Sequence, residues 1–93
     1  MGAVKDSKQQ LIAAAEDRAA KLFDAAPDEA TKERVQQAAR DIGEAVMWLN
    51  QPHAESRPYI LRIVDLTLEL VNAKLTAIER ALRYGGPGAP TIT

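Results

Sequence analysis

The chain has no cysteine, so neither a disulfide nor a cysteine-built zinc site braces it. That absence suits a reducing compartment. His53 is the single histidine, too few for a histidine-built metal centre, and no H-E-x-x-H motif or acidic calcium loop occurs. No glycine-rich loop opens a helix to cradle phosphate, because Gly85-Gly86-Pro87-Gly88 follows a helical stretch. Charge of one sign is also lacking. Twelve Lys and Arg stand against thirteen Asp and Glu, interspersed, for a net charge of −1, which excludes the basic face of a nucleic-acid binder. A long hydrophobic run is missing too: Tyr59 to Leu82 is interrupted by Arg62, Asp65, Glu69, Lys74, Glu79 and Arg80, which a bilayer interior does not tolerate. Met1 to Val4 leads straight into Lys5, Asp6, Ser7 and Lys8, with no apolar core for a secretory leader. These observations predict a soluble, cytoplasmic protein with no metal, no cofactor, no nucleic-acid partner and no membrane partner.

At 93 residues there is room for one domain, and a chain this short buries only about 60–65% of its unfolded surface. Proline and glycine punctuate the chain into three helices, predicted over about 5–25, 27–50 and 57–84, with residues 85–93 left as a flexible tail beyond a domain at 1–84. In the first helix, Leu11, Ile12, Ala15, Ala19, Leu22, Phe23 and Ala26 share a face with Val4 above them. Much of that face is alanine. Pro27, with Asp28 and Glu29 behind it, reads as the first turn of the second helix; it forms either a tight corner or a kink in one long helix. The second helix carries a seam of Val35, Ala38, Ile42, Ala45 and Leu49, with Gly43 inside it allowing a close helix contact. Pro52 and Pro58 bracket a short turn of helix in the following loop. Ser56 is the expected N-cap of the third helix, and glycine then proline past Tyr84 stop it.

The third helix organises the rest, because it carries two apolar rows. Leu61, Val64, Leu68, Val71, Leu75, Ile78 and Leu82 alternate in steps of three and four, a heptad seam. Tyr59, Ile63, Leu66 and Leu70, continued by Ala73, Ala77 and Ala81, form the second row. A surface helix needs one narrower stripe. The first two helices could cover both rows, but their alanine-rich seams offer few large residues for it. The reading is therefore an all-α three-helix bundle with the long third helix central, in which one row is core and the other joins a second copy in a helical homodimer.

Side chains that could carry chemistry are few. His53 sits in a loop beside Glu55 without an evident nucleophile or cleft. Asp17 with Lys21, Asp28 with Lys32, Arg40 with Glu44 and Glu79 with Arg83 are spaced as solvated helix-surface pairs. Arg18 and Lys21 alone do not reproduce the cationic constellation of small helical chorismate mutases. Met47 and Trp48 project from flanks of the second helix, and a lone tryptophan is rich in binding energy. The expected function is a small, non-enzymatic protein–protein interaction or assembly module, self-associating through the third helix. Its expected interface is Met47, Trp48, Tyr59, Ile63, Leu66, Leu70, Ala73, Ala77 and Ala81, with a second copy, or another protein, as partner. The alternatives are a phage- or plasmid-type regulator that captures a host protein and, less favoured, a small helical enzyme.

Overall fold

The computed structural model describes residues 3–85. Among them are three α-helices and no strand: α1 (Ala3–Ala25), α2 (Glu29–Leu49) and α3 (Pro58–Arg80). A π-helical turn, Ala81–Gly85, continues α3. The tail expected at 85–93 falls, from residue 86 onward, outside the described residues.

Pro27 marks a corner between two helices. Its ring disfavours helical backbone at Ala26, and the Ala26 N–H closes α1 on the Phe23 carbonyl at 3.2 Å. Asp28 is then extended (φ −145°, ψ 170°), and its Oδ1 accepts from the Thr31 N–H at 2.8 Å. That bond makes Asp28 the N-cap. Pro27 thus lies before α2 and outside its first turn, contrary to the sequence expectation. The Asp28 side chain accepts from an orphan first-turn amide, which Ala26 could not do as the cap of a helix begun at Pro27.

The second connection contains the short helical turn expected between its prolines, a 3-10 helix at Ala54–Ser56. His53 enters it in the left-handed region (φ 59°, ψ 29°), and Ala54 is buried beneath the loop. Ser56 is not the cap of α3. Its N–H donates to the His53 carbonyl at 2.9 Å inside that turn, and Arg57 takes the cap position without a side-chain bond. Proline explains the shift: Pro58 at the first helical position holds Arg57 extended (φ −116°, ψ 99°) and itself brings no amide that needs a cap.

The three helices close on one core. Ile12, Ala15, Ala19 and Leu22 come from α1; Val35, Ala38, Ile42, Ala45 and Leu49 from α2; Val64, Leu68, Val71, Leu75 and Ile78 from α3. Ala15, Ala19, Ala38 and Ala45 make the seams of α1 and α2 thin, and the larger side chains of α3 fill the centre. The α2–α3 contact is the most extensive and α1–α3 the least, but all three pairs touch. So α3 is not enclosed by the other two, as a central helix would be. It gives one row to the shared core, and at 23 residues its α-helical part equals α1 in length.

Two expectations about helix faces are corrected. Val4 and Leu11, placed on the core face of the first helix, are 48% and 51% exposed. Both are seven-residue steps from Arg18, on the flank of α1 beside the core stripe. Gly43 makes no close contact: a Cβ added there would meet nothing within 4 Å.

Polar ties fix the helices in register. Lys8 of α1 pairs with Asp65. The Arg18 guanidinium donates to Asn72 Oδ1 at 2.8 Å, to Thr76 Oγ1 at 3.2 Å and to Glu79 Oε1 at 3.0 Å. Both sets advance together along α1 and α3, so those helices run parallel. Lys74 Nζ donates to Asp41 Oδ2 of α2 at 2.7 Å, on the other flank of α3.

Candidate functional site

The core takes the first row of α3 and leaves the second outside. Tyr59, Leu66 and Leu70 are 56%, 52% and 53% exposed, Ile63 is half-buried, and Ala73, Ala77 and Ala81 are exposed. The rows lie on opposite sides of one helix. Counting 100° per residue from Tyr59, the core positions centre near 140° and the outward positions near 0°. From Tyr59 to Ala77 the outward row also steps four, three, four, three, four, the spacing that keeps a helix face turned to another helix. Its neighbours on α3 decide what it can meet. Arg62 and Glu69 border it on the side of α1, and Thr67 and Lys74 on the side of α2. Lys74 is tied to Asp41. Arg62 and Glu69 are exposed, and neither forms an ion pair among the described residues.

Trp48 and Met47 part company. Asp41 and Lys74 are bonded across two antiparallel helices. A seven-residue step from each, in opposite chain directions, brings Trp48 level with Thr67. Trp48 therefore borders the outward row on its α2 side, half-buried and packed against the core. Met47 lies about 100° further round α2, away from α3, and is 58% exposed. Of the nine expected interface residues, the structure brings eight to one face and leaves Met47 apart.

Two grooves lie between helices. A cavity of about 360 Å³ runs between α1 and α2, lined by Ala19, Ala20, Phe23, Val35, Ala39 and Ile42 with Glu16 and Gln36 at its rim. A smaller one of about 220 Å³ lies beside Ala77, between α2 and α3, lined also by Arg34, Gln37, Lys74 and Ile78. Neither contains His53, which is exposed in its loop. No group of three metal-ligating side chains converges among the described residues, and no helix there is long and apolar enough to cross a membrane.

Several charged groups are occupied with holding the bundle. Glu79, expected to pair with Arg83, is taken by Arg18 instead. Asp28, expected to pair with Lys32, caps α2; the Thr31 side-chain and backbone hydrogen bonds hold its carboxyl below the ordinary carboxylate range. Lys32 reaches Glu29 at 3.8 Å and stands over the Phe23 ring, 5.7 Å from its centroid. The Asp17–Lys21 pair forms as expected, at 3.0 Å. The bond of Arg18 to α3 is not among the pairs expected from sequence, although its place seven residues from Leu11, on the α1 flank beside the core stripe, is a readable signal.

No protein-family model, curated protein or solved structure matches this chain.

Proposed function

We propose that this chain is a small, non-enzymatic helical interaction module that self-associates through the outward row of α3. One observation carries the reading. Tyr59, Leu66 and Leu70, each more than half exposed, stand in line on a rigid helix with the heptad spacing of a helix-docking face. A contiguous apolar surface of this kind, rimmed by charge, is characteristic of an interaction site. A second copy is the favoured occupant, because one row can meet its own image across a two-fold axis, the commonest form of assembly. Trp48 at the row's edge adds a large half-buried side chain next to the contact. The non-enzymatic part of the reading is supported by Arg18, Lys8 and Lys74, three cations whose side chains are engaged in ties between helices.

Light scattering coupled to size exclusion tests it, over a range of protein concentrations, on the intact chain and on Leu66→Glu, Leu70→Glu and Leu68→Glu. The intact chain is expected to be a dimer. The first two variants should be folded monomers, because each places a carboxylate on the outward row. Leu68→Glu should unfold, since Leu68 is 4% exposed in the core. An intact chain that stays monomeric at every concentration would overturn self-association. Capture of a different protein by such a monomer, abolished by Leu66→Glu, would transfer the row to a heterologous partner.

A further inference from the structure

Two exposed charges beside the large side chains of the outward row, Arg62 and Glu69, specify how two copies would meet. Resting on the self-association reading above, we infer that α3 packs antiparallel against α3 of a second copy, in the register that sets Ile63 opposite Leu66 of the second copy. In an antiparallel pair, a position of one helical phase faces the other phase of its partner. The outward row supplies one phase at Ile63, Leu70 and Ala77, and the other at Tyr59, Leu66 and Ala73. Centring the two-fold axis between Val64 and Asp65 stacks Tyr59 on Leu70 of the second copy and Ile63 on its Leu66, and the symmetry repeats both layers. All the large side chains of the row then meet large side chains.

Charge selects that register. Arg62 and Glu69 lie on the same edge of the row, seven residues apart. With the axis between Val64 and Asp65, Arg62 stands beside Glu69 of the second copy, and Glu69 beside Arg62 of the second copy. Arg62 and Glu69 each find an opposite partner, twice per dimer. Sliding the axis to Leu68 would stack Tyr59 on Ala77 and Ile63 on Ala73, but it would set Glu69 against its own image. Like charges placed so disfavour that arrangement. A parallel pair would turn Glu69 toward Lys74 of the second copy, and Lys74 already holds Asp41 at 2.7 Å. The other edge of the antiparallel pair brings no charge, since Thr67 is neutral and Ile60 is buried within its own chain. Two exposed ion pairs are individually weak; their effect is to choose the orientation and to make the dimer sensitive to salt.

Charge reversal tests the register by sedimentation equilibrium at low ionic strength. Arg62 and Glu69 are exposed on the folded chain, so R62E and E69R should keep native helicity by circular dichroism. Each single reversal places like charges together twice and should weaken the dimer about tenfold, while R62E/E69R should return to within about threefold of the unaltered chain. In high salt the differences should shrink. The parallel arrangement predicts that R62E has little effect and that the double variant is not rescued. The slid antiparallel register predicts that neither reversal weakens the dimer. Either pattern overturns the inference and leaves self-association standing, whereas an unaltered chain that is monomeric throughout overturns both.

Discussion

Leu70 and Leu75 are the same residue type on one helix, five positions apart and on opposite rows, so truncating each separates folding from assembly. Leu75 is fully buried, at 0% exposure. Leu75→Ala removes its transfer energy and leaves a cavity in the shared core, at about 2–5 kcal/mol. Against a total stability of about 0.05–0.15 kcal/mol per residue, that is a large share of what holds this chain together. Leu70 is 53% exposed. Complete burial of a leucine is worth about 1.5–3 kcal/mol, so Leu70→Ala should cost the isolated chain under about 1 kcal/mol, partly offset by alanine's higher helix propensity. Urea denaturation followed by circular dichroism measures both. At low protein concentration Leu75→Ala should lower the midpoint strongly, and Leu70→Ala barely. At high concentration the unaltered chain should gain stability by mass action, about 1.4 kcal/mol per dimer and so about 0.7 kcal/mol per chain for each tenfold in protein once it is dimeric. Leu75→Ala should keep that dependence, and Leu70→Ala should lose most of it. Equal costs at low concentration would refute the assignment of the two rows. A concentration dependence that survives Leu70→Ala would place the contact elsewhere.

Three further perturbations probe the joints of the fold. Gly43→Ala should stabilise the chain by about 1 kcal/mol in urea denaturation, because a Cβ there meets open space and alanine favours the helix; destabilisation would reveal a contact at Gly43 in the assembled form. Arg18→Ala removes the bonds to Asn72, Thr76 and Glu79 and should cost about 1 kcal/mol, discounted because both partners of the ion pair are a third exposed, with the loss read as faster amide exchange along α1. Asp28→Asn keeps a capping oxygen but no titrating group. Because the folded carboxyl has the lower pKa, its stabilisation is complete above the unfolded carboxylate pKa of about 3.9 and disappears as pH falls through the folded value. The asparagine variant should therefore lose less stability than the unaltered chain on acidification below about pH 4, by thermal melts at stepped pH.

The three helices, their seams and the two rows of α3 were legible from residue order alone. Helical periodicity is a local property, and Val35, Ala38, Ile42, Ala45 and Leu49 announce a buried face whatever it packs on. Helix ends were read less well for a physical reason. Ser56 is as good a capping residue as Asp28 by type, but proline's restraint on its predecessor moved the cap to Arg57. The second row of α3 was expected to be the interface, but spacing by itself does not separate the two rows, because both have heptad steps and apolar side chains. Tertiary packing decided it: Val64, Leu68, Val71, Leu75 and Ile78 meet the seams of α1 and α2, and polar ties accompany that orientation, Lys8 and Arg18 on one flank and Lys74 on the other. Those ties join residues far apart in sequence, invisible to any local pattern. Burial of the other row leaves Tyr59, Leu66 and Leu70 facing outward, with Arg62 and Glu69 beside them.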